Sequence, residues 1–398
     1  MSRISNYCDN ILAKLPSGRL LSVDVFRGIT ITGMILVSNH GDSSNAYPAM
    51  LHAEWHGWTP TDLIFPFFLF IVGIAMVMSF DKKLEAGQDR TAIMKTAFVR
   101  GLKIYALGAF LGVFYYNFYN PDFSWWTERL EGIRFMGVLQ RIGIVFILTA
   151  AIVLLAGKRG RIVAFVGALV GYWALMTYVP YTLPNGDTAV GLWDYANNFA
   201  AAMDHYILGA NHTYFRDTKP FAFDLLGVVS TMTAVATCLS GVLVGMLLST
   251  ERSNGEKMRL LVITGAIAVV VGMLLDGIVP INKPIWTSSY VIMSSGYAMV
   301  TLGFLIWLVD MKGYKNWSAP FVVYGANSIA FYMLSGVVGK IMGMIRFDGT
   351  SLKTILYQNT MEPLFSPAFA SLMFGIMMLA LYYLVMNRMY QRGIFWKV

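Results

Sequence analysis

Five histidines occur in 398 residues, and three of them fall within "NHGDSSNAYPAMLHAEWHGWTPTD", residues 39–62. Imidazole is the side chain best matched to proton transfer near neutral pH. His52 stands ten residues before Asp62, a carboxylate that could orient the ring. Two other readings compete. An interfacial histidine can simply hydrogen-bond headgroups or a neighbouring carbonyl. The His52-x-x-x-His56 spacing, with His40 nearby, also suits zinc on a helix face. Pro48 and the glycines argue against a long helix here, and no carboxylate stands at ligand spacing, so no metal is expected. The "TPTD" stretch reads equally well as a helix start, with Thr59 the N-cap, Pro60 the first helical residue and Asp62 the third. Asn39 is either a capping amide or a donor to a developing oxyanion.

Charges recur where the chain is otherwise apolar. Asp24 and Arg27 lie at i, i+3 in "SVDVFRG", near the start of one apolar run. Lys103 lies near the start of another and can snorkel to its end. Arg141 follows Arg134 by seven residues, which on a helix is about 10 Å of depth. An arginine that deep in a bilayer is costly and should face a polar cavity or an ion-pair partner. These residues describe a polar path entered from both faces, a pattern that a transporter would share.

The elements that must position these groups are membrane helices. Hydrophobic residues make up 57% of the chain and charged residues 13%, with a mean hydropathy of +0.58. Apolar runs long enough to cross a bilayer recur near 22–39, 61–80, 96–117, 134–156, 162–180, 223–249, 259–276, 287–309, 318–341 and 366–386. The expected fold is an all-α polytopic bundle of about ten transmembrane helices in one domain, 1–398. A short N-terminal segment, 1–20, is polar and amphipathic and lacks a signal-peptide core. Loop charge alternates. Nineteen of the 30 lysines and arginines fall on one side, including Arg3, Arg19, Lys82, Lys83, Arg100 and Lys397; eight fall on the other, including Arg134, Lys283 and Lys340. The positive-inside rule then makes both termini cytoplasmic. All five histidines lie in the external loops 39–60 and 181–222, and a loop as long as the second is commonly functional. No basic stripe interleaved with exposed aromatics suggests nucleic acid. Cys8 and Cys238 do not form a disulfide framework.

Six stretches taken in order carry a specific resemblance: "RLLSVDVFRG", "HAEWHGWTPTDLIFPFFLFIVG", "GVLQRIG", "PINKPIWTSSYV", "YGANSI" and "IFWKV". Together they resemble heparan-α-glucosaminide N-acetyltransferase and its bacterial relatives, from Arg19 to Val398. The resemblance implies a bacterial-type member in the cytoplasmic (inner) membrane. It implies transfer of acetyl from cytoplasmic acetyl-CoA to the amine of a glucosamine-type sugar on the far side, with no metal. The family's essential histidine corresponds to His52, its nearby asparagine to Asn39, the carboxylate before the Phe-Pro pair to Asp62, and the arginine before "GVLQR" to Arg134. Acceptor contacts are expected from Asn282, Lys283, Trp286 and Asp224. The donor is expected to meet Arg27, Arg100, Lys103 and Arg141. Relatives commonly read Asp-Pro-Glu-Gly where this chain has "DLLG", and serine and asparagine where it has Glu54 and His56. Free glucosamine or a cell-wall amino sugar is therefore as good an acceptor as heparan. Other expected partners are membrane lipid and a second copy of the chain. The rival activities are membrane O-acylation and transport of a sugar.

Overall fold

The computed structural model describes residues 3–14 and 20–396; Arg19, Lys397 and Val398 lie outside the described residues. The described chain is predominantly helical. A short helix α1 (Arg3–Leu12) precedes α2 (Leu21–Ser38), α3 (Ile64–Glu85), α4 (Arg90–Val113), α5 (Val138–Leu155) and α6 (Lys158–Tyr178). After a loop region holding α7 (Phe199–Leu208) come α8 (Thr231–Leu248), α9 (Asn254–Leu274) and α10 (Ser288–Leu305). The chain ends with α11 (Ala319–Ala326), α12 (Ser328–Met344), the short α13 (Leu352–Thr360) and α14 (Pro367–Gln391). Strand is confined to three two-stranded hairpins, two in the 181–198 region and one at 346–351.

Among the described residues, nine helices are long and apolar enough to cross a membrane, and one bent pair passes the same test together. That pair, Asn316–Ala326 with Ser328–Met344, turns by 74°. It replaces the single straight span expected over 318–341. The bend falls at Asn327, whose side chain leaves the local helix to bind distant backbone. Its Nδ2 donates to Ile394 O at 2.9 Å, and its Oδ1 accepts from Trp396 N at 2.8 Å.

The pair nonetheless runs from one end of the bundle to the other. Its start packs against α1, where Tyr7 Oη donates to Asn387 Oδ1 and Tyr390 Oη donates to Ile11 O. At its far end Tyr119 Oη, beyond the end of α4, donates to Arg346 O at 2.6 Å. Counted as one span, the pair brings the candidate spans among the described residues to ten. The described N- and C-terminal segments meet at one end, which we call the basic end because Lys82, Lys83, Arg90 and Lys158 share it.

Glycine sets the closest helix pairs. A Cβ on Gly28 would stand 1.9 Å from Phe321 O, and one on Gly241 1.9 Å from Phe70 O. Gly73, facing α8, is nearly as tight at 2.0 Å from Cys238 O, and Gly325, facing Gly28, is looser at 3.0 Å. Two further couples, Gly101 with Gly143 and Gly265 with Gly296, join α4 to α5 and α9 to α10. In lipid, where apolar burial gives little drive for helices to associate, such backbone contact is a principal source of adhesion. The outer helices α6 and α9 turn Val163, Val166, Val170, Ile263, Ile267 and Val270 outward as exposed residues. An apolar exterior of this kind fits a hydrocarbon solvent. The chain is an integral membrane protein.

Candidate functional site

The segment between α2 and α3 folds around one carboxylate. Pro60–Leu63 forms a single 3-10 turn ahead of α3, and Asp62 closes a capping box with Thr59, accepting from Thr59 N at 2.9 Å through Oδ2. The same oxygen accepts from Ala53 N at 3.1 Å. The other oxygen, Oδ1, lies 2.7 Å from His52 Nδ1. Asp62 itself is fully buried, while the His52 side chain is 56% exposed. The cap thus uses Oδ2 and leaves Oδ1 to the His52 ring. With the Nδ1 proton given to Asp62, Nε2 is left as the ring's acceptor.

A second loop docks on this one. In "PINKPIW", Ile281 O accepts from Gly57 N at 2.7 Å, and Asn282 bridges to Gly57. Asn282 Oδ1 accepts from Ile285 N at 3.0 Å, which closes a tight turn. Trp286 sits in that turn at φ 53°, a region that non-glycine residues adopt only when packing holds them there. The packing is visible: Trp286 is fully buried, its Nε1 donates to Thr237 Oγ1 at 3.0 Å, and Arg141 lies over its ring at 5.2 Å. The turn delivers Lys283 to the dyad. Its Nζ lies 3.0 Å from His52 Nδ1, 3.2 Å from Nε2 and 3.5 Å from Asp62 Oδ1. Near-equal distances to both nitrogens place the amine over the ring face rather than along either lone pair. Burial lowers the pKa of Lys283, with the Asp62 charge pulling it partly back.

The remaining polar groups form a neighbouring array. Arg134 and Asp224 make a two-bonded pair at 2.7 and 2.6 Å. Tyr214 lies under the Arg134 guanidinium at 4.7 Å. Asp204, on α7, accepts from Asp224 N at 3.1 Å and Val228 N at 2.8 Å. Residues 223–230 are accordingly not helical, although they are apolar enough to extend α8, which starts at Thr231. Burial pushes the Asp204 carboxyl up to about 7, against the pull of those two N–H groups. Arg141 is fully buried and donates to Gly227 O at 2.9 Å and to Ser230 Oγ.

Two cavities run along α4, α5 and α12. One, of about 210 Å³, lies toward the basic end and is lined by Arg27, Lys83, Arg100, Ile104, Ile142, Asn327, Ser328 and Trp396 among others. The second, of about 410 Å³, lies toward the opposite end and is lined by Asn39, Gly108, Arg134, Gln140, Tyr332, Ser335 and Lys340 among others. From Arg100 to Gly112 on α4 is about 18 Å of rise, so the two divide most of the bundle's depth. Asn39 holds Ile35 O and Ser335 Oγ through Nδ2, both at 2.8 Å.

The structure thus groups His52, Asp62, Asn282 and Lys283 at one point, and Asn39 with Arg134 in the second cavity. Arg27 and Arg100 share the basic cavity, with Arg27 also paired to Asp24 at 2.8 Å. Lys103 is exposed and stands outside that lining. Arg141 lies beneath Trp286, and Asp224 is engaged with Arg134. His40 and His56 face other partners, Val37 O at 2.7 Å and Asn282 Nδ2 at 3.4 Å. Among the described residues, no three of His, Cys, Asp and Glu converge. Sequence reasoning missed Asp204, Lys83, Tyr332 and Lys340. For Lys83 and Lys340 the charge at a span end was a usable signal; Asp204 gave none.

Residues 19–197 match the family model described as heparan-alpha-glucosaminide N-acetyltransferase, catalytic. The human heparan-alpha-glucosaminide N-acetyltransferase is 27% identical over an alignment covering 97% of this chain and 61% of the relative. The mouse protein of the same name is 26% identical, covering 96% and 61%. The chain spans about three fifths of the length of these curated relatives. With the motif order and the polytopic helical fold, these matches make the chain similar to the heparan-alpha-glucosaminide N-acetyltransferases, through the family model over residues 19–197 and through both relatives over nearly its whole length.

Proposed function

We propose that the protein transfers acetyl from acetyl-CoA, held from the basic end, to the amine of a glucosamine-type sugar at the opposite end. The observation that carries this reading is the 2.7 Å contact between His52 Nδ1 and the buried Asp62 carboxylate. A buried carboxylate that fixes one ring nitrogen leaves the other free to take a proton, which is what amine acylation demands. In the reaction, the neutral amine attacks the thioester carbonyl, the C–S bond breaks, and CoA leaves as thiolate. His52 takes the proton that the amine nitrogen sheds and returns it to the thiolate or to water. A two-step route in which His52 itself carries acetyl uses the same contacts.

Supporting features lie on both sides. Arg27, Lys83 and Arg100 in the basic cavity suit the phosphates of CoA, and the apolar residues between them suit its pantetheine arm. Asn39 and Arg134 in the second cavity are donors that could meet an oxyanion. The concentration of cations at the basic end makes that end cytoplasmic in our reading, placing both termini inside and the dyad outside, in a bacterial cytoplasmic membrane. The names of the human and mouse relatives point to a glucosaminide acceptor; free glucosamine and cell-wall amino sugars are the acceptors to try first. Purified protein incubated with acetyl-CoA and a panel of amino sugars and alcohols tests the reading. N-acetylated sugar with release of free CoA is the expected result. Ester products would make it an O-acyltransferase, and unchanged sugar with intact acetyl-CoA would leave transport as the better reading.

A further inference from the structure

Lys283 is a primary amine held against the proposed general base by the fold itself. Its Nζ lies 3.0 and 3.2 Å from the two His52 nitrogens and 3.5 Å from Asp62 Oδ1. Its side chain is only 14% exposed, so the amine is fixed rather than sampling solvent as surface lysines do. It is an amine already beside the ring that a sugar amine would have to reach to give up its proton. We propose that Lys283 is a self-acetylation site: when donor is bound and no acceptor is present, the enzyme acetylates its own Lys283 Nζ.

The chemistry is that of the proposed reaction with one partner exchanged, and the inference rests on that reading. Neutral Nζ attacks the thioester carbonyl, an N–C bond forms, the C–S bond breaks, and CoA departs as thiolate. The proton lost by Nζ passes to His52 and on to the thiolate, so no further reagent is consumed. Partial burial favours the neutral amine that this attack requires. The product differs from an acetyl-imidazole in consequence. An amide does not hand its acetyl on, so modification is lasting; it removes the positive charge beside Asp62 and adds three heavy atoms at the dyad. Acceptor binding would compete by putting another amine in front of the carbonyl. The enzyme would then inactivate itself progressively when supplied with donor alone.

The loop is built in a way that keeps Lys283 there. Pro284 follows it, Asn282 is pinned by Thr287 and Ile285 contacts, and Trp286 anchors the turn from below. Other lysines provide an internal control. Lys95 and Lys158 are exposed and meet acetyl-CoA only as bulk nucleophiles.

The test uses the full-length purified protein and deuterated acetyl-CoA, without sugar, followed by intact mass and peptide mapping. Label approaching one acetyl per chain at Lys283, with only trace label at Lys95 and Lys158, is expected. His52→Gln should slow labelling at Lys283 on the order of a hundredfold, and Lys283→Arg should abolish the single mass increment. Excess glucosamine should protect Lys283, and preincubation with donor alone should lower later sugar acetylation in proportion to label. Lys283 left unlabelled by donor alone, in protein that acetylates sugar once sugar is supplied, would overturn this inference and leave the proposed function intact. Equal labelling of Lys283, Lys95 and Lys158, unaffected by His52→Gln, would overturn it as well. Failure of both sugar and protein acetylation would remove the proposed function beneath it.

Discussion

Asp62 divides its two carboxylate oxygens between structure and chemistry: Oδ2 receives the backbone of Ala53 and Thr59, and Oδ1 receives His52 Nδ1 at 2.7 Å. An amide at this position can satisfy only part of that set. Asp62→Asn keeps a carbonyl oxygen for one side and offers N–H where the other side needs an acceptor. Turnover should fall at least about a hundredfold, with the thermal midpoint in detergent also reduced. Thr59→Ala affects the cap and not the ring, so it should lower stability by about 1 kcal/mol while turnover per folded molecule stays within a few-fold. If the two variants lost activity equally per folded molecule, Asp62 would be a cap alone.

Arg134 and Asp224 form a two-bonded pair whose geometry lysine cannot reproduce. Arg134→Lys should cost on the order of a hundredfold in rate, equivalent to about 3 kcal/mol of barrier, if the guanidinium faces the reacting carbonyl. The decisive readout is rate per folded molecule. A variant that merely yields less folded protein, with unchanged turnover, assigns the pair to holding the 223–230 segment.

Asp204 gives the 199–230 segment a pH dependence. Its carboxyl is raised to about 7 from an ordinary carboxylate value near 3.8. A raised folded-state pKa means the folded protein binds the proton more tightly than the unfolded chain. The associated stability is fully present below about pH 4 and is lost as pH rises through 7. Wild-type protein should therefore lose thermal stability between about pH 4 and 7, and level off above, relative to Asp204→Asn, which has no proton to release. Parallel melting profiles of the two proteins across that window would show that Asp204 does not titrate there.

Backbone contact between helices makes its own forecast. At Gly241 a methyl group meets Phe70 O at 1.9 Å, so α3 and α8 must separate. Gly241→Ala should destabilise by about 1–3 kcal/mol, as overpacked sites do. Gly112→Ala, with nothing within 4 Å of an added Cβ, should fold as wild type. Comparing detergent melting midpoints checks both; equal midpoints for the two variants would contradict the packing assigned to α3 and α8.

Much of this was legible from the chain and some was not, for physical reasons. Span number and order follow from apolar run length, because lipid forces the backbone to pair within each segment. The break at Asn327 does not follow, since "FVVYGANSIAFYML" is largely apolar around Asn327 and Ser328 and the bend depends on bonds to Ile394 and Trp396, far along the chain. The late start of α8 has the same origin: hydropathy registers Leu225 and Leu226 but not the Asp204 carboxylate that takes their neighbours' N–H groups. His52 and Asp62 were visible as a pair because they lie ten residues apart. Lys283 was visible as an outer-loop cation, yet its seat at the dyad comes from the Gly57–Ile281 contact, which spans more than two hundred residues.

The central claim is that donor and acceptor are served from opposite ends of the bundle, with the dyad at the acceptor end. Proteoliposomes of known orientation, with amino sugar supplied to the face bearing His52, measure this directly. Acetyl-CoA should support transfer only when present at the basic face. Free CoA should remain on that side, and acetylated sugar should accumulate on the other without the sugar having crossed. Acetylation that proceeds only when acetyl-CoA and sugar share one face would contradict the account, even if the product is the same amide.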